Sequence, residues 1–527
     1  MANSLANFPI RRILVTILLL IVLGIAGAVI AIPTLKSDKP GIVAAIAMIA
    51  ALVLGGRALW SRPSWWFMPV ALAALAAIPF VVVARGFREV DMLAILFHVE
   101  FGIQGADLSS VDNEIIQAVS AALLLILAGY LLSVTWSIGA IGHILAAAIL
   151  IVANPGARFG FNTMLVPTVE SDLSDLLVDP RMRTDISAPP DIVIVYLEGL
   201  DRHYADSSIY GNSYAPIAEL EREALSFTNV GQIAGTGWSL AGFVASQCGV
   251  PLMPKGFRYE NNFETVDAFL PSVTCLGDVL KSYGYFSAYF VGGELGFAGF
   301  DIFNETHQIS EQVGLDELPD IFGAEVVEAA TPTWVADDQL VFDAALRRHS
   351  EILEADAPYL IIALTTGPHG KQGFLSRRCT SRGRSEISYD VARVVRCTGD
   401  EALRFVREIQ RRQAEFRADR ELRVIVLSDH LSHNRYRPPA AKELTDRNTV
   451  LFLGGAGAGE VNNRAGAMID VFPTMLEWLG FAESPVAAGL GRSLLGAPRT
   501  LVEDRGIALI DQMVRGDARL SREIWSE

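Results

Sequence analysis

Long uncharged apolar runs in the first 155 residues are the feature that most constrains the fold of this 527-residue chain. Residues 13–32 carry no ionisable side chain, and a helix needs about 20 apolar residues to cross a bilayer. Further runs at 41–54, 66–84, 115–136 and 138–153 raise the predicted number of transmembrane helices to five. A cleaved signal peptide is the alternative for the first run alone, but four more runs follow it.

Basic residues near the ends of these runs predict the orientation of the chain. Arg11 and Arg12 precede the first run, and Arg57 and Arg62 follow the second. Because such residues stay on the cytoplasmic side, the N terminus is predicted in the cytoplasm, and five spans place everything after about residue 155 outside it. A broken apolar stretch near 91–105 is too short to span and predicts an interfacial or re-entrant helix.

The composition after the apolar runs predicts the remaining domain organisation. The formal net charge of −16 argues against binding to nucleic acid or to anionic surfaces, which need a cationic footprint. A polar, proline-containing stretch at 156–190 is typical of a linker. We therefore predict a transmembrane domain at 1–155, this linker, a folded domain at 191–500 and a C-terminal tail at 501–527.

Short β-branched runs alternate with helix-like segments in the second half of the chain. This alternation predicts an α/β fold with a central, mostly parallel sheet flanked by helices on both sides. The predicted strands are 191–200, 359–366, 422–430 and 449–455. The predicted helices are 215–224, 239–246, 273–283, 337–354 and 400–417.

Three of the predicted strands end in side chains that can do chemistry. Glu198 follows the first, His369 lies after the second, and Asp429 and His430 follow the third. Each alone is typical of a solvated loop. However, the carboxyl ends of parallel strands meet at one edge of a sheet, where ligands bind. We therefore predict that these residues converge and can hold one ion.

A fourth motif is GTGWS at 235–239, which opens a predicted helix. Gly235 and Gly237 allow a close backbone approach, and a helix N terminus directs unpaired N–H groups toward an anion. Thr236 would present its hydroxyl to a phosphate there. The alternative is a tight turn followed by an N-capped helix.

Several longer motifs resemble a known family. They include LSFTNVGQIAGTGWSLAGFVASQCGVPL (225–252), LTTGPHG (364–370) and SDHLSHN (428–434). They are similar to the membrane-anchored phosphoglycerol transferases of osmoregulated periplasmic glucans, with lipoteichoic acid synthases as relatives, in the sulfatase and alkaline phosphatase superfamily. The resemblance covers about residues 190–500.

The resemblance implies a metal site. It assigns Glu198, Thr236, Asp429 and His430 as ligands of one divalent cation, with Thr236 also the catalytic nucleophile. Oxygen-rich ligands favour Mn²⁺ or Mg²⁺, and Zn²⁺ stays open.

The resemblance also implies contacts with the substrate. His369 matches a catalytic histidine that contacts the substrate phosphate. Trp238, beside the predicted nucleophile, is a candidate for stacking on sugar or glycerol, with core packing as the alternative. His433 is a further substrate-binding candidate, with an indirect or exposed position as its alternative.

Two departures from relatives narrow the expected chemistry. The segment VGGELGFAGF (291–300) stands where lipoteichoic acid synthases carry HGDxxxFWxR, which argues against polymer synthesis on glycerol phosphate. The Cys/Ser-x-Pro-x-Arg signature of true sulfatases is also missing from the sequence, which argues against sulfate-ester hydrolysis.

The resemblance then implies a phosphotransferase of the bacterial inner membrane with its catalytic domain in the periplasm. The glycerophosphate of phosphatidylglycerol would pass to a periplasmic glucan through a phospho-threonine intermediate. Alternatives are a phosphoethanolamine transferase, a phosphodiesterase or a lipoteichoic acid synthase-like enzyme, and, from another class, a ligand-sensing ectodomain without activity.

The four cysteines allow three pairings. The resemblance suggests Cys248 with Cys275 and Cys379 with Cys397. Four reduced, buried thiols are the alternative.

Overall fold

The computed structural model describes most of the second half of the chain and part of the first. The described ranges are 65–86, 112–135, 140–154, 170–186, 188–253, 266–369, 373–432, 440–441 and 444–526, with isolated positions before residue 50. The predicted spans at 13–32 and 41–54 lie almost entirely outside these ranges. The predicted helix near 91–105 and His433 lie wholly outside them.

The chain divides into two compact units, and the second contains residues from Thr168 onward. In the first unit the described helices are α1 (Met68–Gly86), α2 (Asp112–Thr135) and α3 (Ala140–Ala153). Alanines such as Ala74 and Ala122 are buried between α1 and α2, because small side chains let helices approach closely.

The described helices cover three of the five predicted membrane spans. Within the described ranges, one stretch is long and apolar enough to cross a membrane, Glu114–Leu131 in α2. Two shorter apolar stretches occupy Met68–Val82 and Ala140–Ala153. The five-helix membrane region therefore stays a prediction.

The second unit contains an eight-stranded sheet. The described strands of this unit are β1 (Asp191–Leu197), β2 (Leu225–Phe227), β3 (Val230–Gly231), β4 (Phe286–Val291), β5 (Glu311–Val313), β6 (Tyr359–Leu364), β7 (Gly373–Leu375), β8 (Glu386–Ser388), β9 (Leu422–Ser428), β10 (Val450–Leu453), β11 (Val461–Asn462), β12 (Gly466–Ala467), β13 (Ala487–Ala488) and β14 (Gly491–Arg492). The order of strands in the eight-stranded sheet is β11-β2-β10-β9-β1-β6-β4-β5. Strand β10 is antiparallel to both neighbours, and the other adjacent pairs are parallel. The predicted α/β architecture with a mostly parallel sheet is thus confirmed.

Strand β1 shows why the run at 192–197 is apolar throughout. Ile192 and Ile194 pack into the core on one face of the sheet, and Val193 and Val195 pack into the core on the other. A strand between two helical layers has no solvent-facing side, so both alternating sets are apolar.

The helices of the second unit cover both faces of this sheet. Their bounds are α4 (Ser207–Tyr210), α5 (Ala215–Glu221), α6 (Ser239–Cys248), α7 (Leu276–Ser282), α8 (Phe300–Thr306), α9 (Leu318–Phe322), α10 (Ala324–Ala330), α11 (Asp338–Ile352), α12 (Val391–Phe416), α13 (Val471–Trp478), α14 (Leu501–Arg505), α15 (Ile507–Gly516) and α16 (Ala518–Ile524).

Helix α12 begins nine residues before its predicted start at 400, because Asp390 caps it by accepting a hydrogen bond from the Arg393 N–H. The segment predicted as a tail forms α14–α16, which bury apolar side chains such as Ile510 and Leu520 in the core.

Candidate metal centre and active site

The ends of β1, β6 and β9 lie side by side at one edge of the sheet. Leu197 at the end of β1 pairs with Ser428 at the end of β9, and Tyr196 pairs with Leu364 of β6. Because the strands are parallel and in this register, the residues that follow them are neighbours. The sheet therefore brings Glu198 close to Asp429, although Gly199, the residue after Glu198, is 230 positions from Asp429 in the chain.

Glu198, Asp429 and His430 form one buried cluster. One ligand atom of each lies within 4.8 Å of the others. His430 Nε2 is 3.3 Å from Glu198 Oε1 and 3.4 Å from Asp429 Oδ2. At most 3% of the surface of any of these residues is exposed. Two carboxylates and an imidazole are a ligand set that suits Mn²⁺, Mg²⁺ or Zn²⁺.

Backbone groups orient the two ligands that follow β9. Asp429 Oδ1 accepts hydrogen bonds from the Gly199 N–H at 2.9 Å and from the His430 N–H at 2.8 Å. Asp429 Oδ2 is buried and has no hydrogen-bond partner within the described part of the chain. His430 Nδ1 lies 2.8 Å from the Leu431 carbonyl, to which an Nδ1–H can donate, and this tautomer directs the Nε2 lone pair toward the carboxylates.

The electrostatics of the cluster favour a bound cation. Burial by itself lowers the pKa of His430, but the carboxylates of Asp429 and Glu198 raise it to about 10. Burial and the charge of Glu198 raise the pKa of Asp429. Two buried carboxylates thus need a positive charge between them, which a proton on His430 or a divalent cation supplies. The residues present therefore fit a divalent metal.

Helix α6 places a hydroxyl against this cluster. Ser239 is the first residue of α6, and its Oγ donates a hydrogen bond to Glu198 Oε2 at 3.1 Å. The same oxygen lies 3.5 Å from His430 Nε2. Ser239 is half-buried, so a substrate can reach it. The N terminus of the ten-residue helix α6 thus adjoins the cluster, an arrangement that favours anion binding.

Thr236, the residue predicted as ligand and nucleophile, makes different contacts. Its Oγ1 donates to the Ile233 carbonyl at 2.8 Å and accepts from the Ile233 N–H at 3.1 Å, and the residue is fully buried. Gly235 adopts φ 75° just before it, which closes a tight turn. The contacts of Thr236 therefore support the turn, and the hydroxyl in contact with the cluster is that of Ser239.

His369 lies close enough to the cluster to affect its charge. Burial raises the pKa of Glu198, but the imidazoles of His430 and His369 outweigh burial and hold this pKa below its usual range. The ring of His369 is half-buried and meets Trp334 edge-on, with 5.5 Å between ring centroids. Trp334 was not predicted from the sequence, although a lone tryptophan in the polar segment 331–338 was a usable signal.

A buried carboxylate holds the loop that carries His369. Asp338 Oδ1 accepts hydrogen bonds from the N–H groups of Thr366 at 2.8 Å and Gly367 at 3.0 Å. Its Oδ2 accepts from Thr398 Oγ1 at 2.6 Å. Burial, the largest influence, raises the pKa of Asp338 to about 6. Asp338 was not predicted from the sequence, because an aspartate at the start of a helix is typical of an ordinary N-terminal helix cap.

The two remaining substrate-binding candidates differ in outcome. Trp238 is 8% exposed and packs in the main hydrophobic core, which was the alternative to stacking on sugar or glycerol. His433 lies outside the described residues.

The suggested disulfides are confirmed. Cys248 is bonded to Cys275, and Cys379 is bonded to Cys397. The first bond joins the last residue of α6 to the N-cap of α7.

Comparison with known proteins finds curated relatives that match most of this chain. Proteins named phosphoglycerol transferase I from Escherichia coli and from Shigella boydii are 28% identical over 470 residues, which cover 82% of this chain and 57% of each relative. The chain therefore spans little more than half the length of these relatives.

Two solved structures are similar to part of this chain. A protein of the alkaline phosphatase superfamily from Vibrio parahaemolyticus is 18% identical, with a TM-score of 0.46 and coverage of 64% of this chain and 76% of its own. A lipoteichoic acid synthase from Listeria monocytogenes is 14% identical, with a TM-score of 0.47 and coverage of 62% and 83%. The family profile described as Sulfatase matches residues 190–481, more than half of the chain. The chain therefore belongs to the Sulfatase family.

Proposed function

We propose that this protein is a metal-dependent phosphoglycerol transferase that moves glycerophosphate from phosphatidylglycerol to a periplasmic glucan. The observation that carries the proposal is the Ser239 hydroxyl, which contacts both Glu198 and His430 at the N terminus of α6. A hydroxyl beside a cation site and a helix N terminus has the parts that phosphoryl transfer needs. The name of the relatives supports phosphoglycerol as the transferred group.

The metal is proposed to bind to Glu198, Asp429 and His430. The carboxylate oxygens among these ligands favour Mn²⁺ or Mg²⁺, and Zn²⁺ is the alternative. When bound, a divalent cation supplies positive charge for the phosphoryl oxygens and lowers the pKa of an adjacent hydroxyl. The Glu198 carboxylate accepts the Ser239 hydrogen bond and so orients Oγ. The unpaired N–H groups of the first turn of α6 stabilise negative charge on the phosphate.

The reaction is proposed to proceed in two displacements. Ser239 Oγ forms a bond to phosphorus as the bond to the diacylglycerol oxygen breaks, and the proton of the serine hydroxyl leaves on diacylglycerol. A glycerophospho-serine remains. A glucan hydroxyl then attacks phosphorus and releases Ser239, whose oxygen takes up the proton that the glucan hydroxyl loses. His369, half-buried beside the cluster, is proposed to transfer the proton to the leaving oxygen and take it from the entering one.

This mechanism gives Ser239 the role that sequence analysis assigned to Thr236. Both hydroxyls belong to GTGWS, but the Ser239 hydroxyl contacts the cluster, whereas the Thr236 hydroxyl bonds to the main chain of Ile233. The covalent intermediate is therefore proposed on serine.

The test is to incubate the full chain with phosphatidylglycerol carrying a labelled head group and to map the adduct by tandem mass spectrometry. We expect the label on Ser239, its loss in Ser239→Ala, and its retention in Thr236→Val. Phosphatidylethanolamine is the competing donor in a parallel incubation. A label on Thr236, or transfer by Ser239→Ala at the wild-type rate, would refute the serine assignment.

The same proposal places the second unit outside the cytoplasm at a bacterial inner membrane. Two disulfides are typical of an oxidising compartment, and the apolar helices α1–α3 are suited to a bilayer. A donor lipid would then reach the site from the membrane surface. The proposal keeps the predicted domain boundaries, with the transmembrane domain ending at about residue 155 and the linker ending at about residue 190.

A further inference from the structure

Two aromatic rings lie next to His369 at the active edge of the sheet. Strand β4 pairs with β6 so that Val291 is level with Leu364, and the loop after β4 therefore runs beside the loop of His369. Phe297 in that loop lies 5.5 Å from Trp334 between ring centroids, and the two planes are tilted by 49°. Trp334 in turn contacts His369. Both aromatic rings are half-buried, so each keeps an accessible part.

The backbone holds this pair in a defined position. The Ala336 N–H donates to the Gly292 carbonyl at 2.7 Å, which ties the two aromatic segments together. Ala298 adopts φ 59°, a conformation that non-glycine residues rarely take. This turn sends Phe300 into the core, where it stacks on Tyr289, and leaves Phe297 at the surface against Trp334.

The chain segment that carries the pair is acidic, which disfavours an anionic ligand. The sequence from 292 to 336 contains no lysine or arginine and many acidic residues. Glu294, three residues before Phe297, is exposed. A phosphate or an anionic head group would be repelled here. A sugar is neutral, its ring carbons pack on aromatic faces, and its hydroxyls can donate to carboxylates.

We propose that Phe297 and Trp334 bind a pyranose ring of the acceptor glucan and present a hydroxyl of the sugar beside His369. This inference rests on the proposed function and deepens it, because it assigns the acceptor to specific residues. The occupant is a sugar rather than an acyl chain, since an acyl chain needs an extended apolar surface and the segment that carries this pair is acidic, with Glu294 exposed. The donor phosphate stays at Ser239 and the metal cluster.

The test separates the two half-reactions in the full chain with phosphatidylglycerol vesicles. Labelling of Ser239 reports the donor step, and transfer to a panel of glucohexaoses of different linkage reports the acceptor step. We expect Phe297→Ala to raise the KM for the glucohexaose by roughly five- to tenfold, the loss of one aromatic contact, while the rate of Ser239 labelling is reduced much less. Phe297→Tyr should restore the wild-type KM.

Tyr389→Ala is the matched control, because this tyrosine is 73% exposed and lies outside the proposed site. Binding is measured separately in Ser239→Ala, where the glucohexaoses should change tryptophan fluorescence and Phe297→Ala should weaken that change. An unchanged KM in Phe297→Ala, with normal Ser239 labelling, would overturn the acceptor site alone. No labelling of wild-type Ser239 would instead overturn the proposed function.

Discussion

Replacing Gly242 by alanine tests whether helix α6 must lie directly on the metal cluster. A Cβ on Gly242 would stand 1.7 Å from the Asp429 carbonyl oxygen and 2.7 Å from its carbonyl carbon. An ordinary C···O contact is about 3.3 Å, so α6 and the Asp429 backbone would have to separate by roughly 1.6 Å. Ser239 is one helical turn before Gly242, so this displacement moves its hydroxyl relative to Glu198 and His430.

The expected effect on activity is larger than the effect on stability. A misplacement of about 1 Å at a reacting group can reduce the rate by about 100-fold, and we expect at least that loss in the Ser239 labelling rate. Overpacking costs about 1–3 kcal/mol, and the better helix propensity of alanine offsets about 1 kcal/mol of it. Gly242→Ala should therefore remain folded, with a melting temperature only a few degrees lower.

The assay compares Ser239 labelling, metal content and thermal melting in Gly242→Ala and in Gly399→Ala. Gly399 is also a helical glycine, in α12, but the three nearest atoms to its Cβ would be side-chain atoms, of Pro216 at 3.3 and 3.4 Å and of Ile217 at 3.6 Å. We expect near-normal activity from that control. If Gly242→Ala labels Ser239 at the wild-type rate, the position of the Ser239 hydroxyl does not depend on the close packing of α6 against Asp429, and the reasoning is refuted.

Two further predictions concern the buried Asp338 carboxyl and one of the disulfides. The pKa of Asp338 rises from 3.8 to about 6 in the folded chain, so the native state holds this proton more tightly and stability falls by about 3 kcal/mol as pH rises through this interval. Asp338→Asn should lack this pH dependence. Between about pH 3.5 and 7, the unfolding free energy of the variant, measured in urea, should therefore rise by that amount relative to the wild type. A difference in unfolding free energy that stays constant with pH would contradict the prediction. Replacing Cys379 and Cys397 together by serine should lower the unfolding free energy by about 3 kcal/mol, because their bond closes a loop with a sequence separation of 18. An unchanged melting temperature would argue against this bond.

Some features of the site were predictable because they depend on local sequence. After Asp191, the run at 192–197 is apolar at every position, so it indicates a strand buried on both faces, and Glu198 must then lie at its carboxyl end. The same reasoning places Asp429 and His430. Strand β4 was not predicted from the sequence, and pairing with β6 and β5 decides that it is a strand.

The choice between Thr236 and Ser239 depended on three-dimensional contacts. Both hydroxyls lie in one five-residue motif, and the motif alone cannot tell which one faces the strand ends. The turn at Gly235 directs Thr236 to its own backbone, and the start of α6 directs Ser239 to Glu198. Trp334 and Asp338 were missed for a similar reason, since their role comes from packing on the loop of His369.

The sequence by itself therefore determined the α/β class, the strand ends that carry the acidic and imidazole ligands, and the family to which the chain is similar. These follow from hydrophobic periodicity and local motifs, which act over a few residues. Only the tertiary structure decided which hydroxyl meets the cluster, how Asp338 holds the His369 loop, and that Phe297 stands against Trp334. Such contacts join side chains far apart in the chain, and the register of the sheet and the packing of α6 and α11 on it determine their distances.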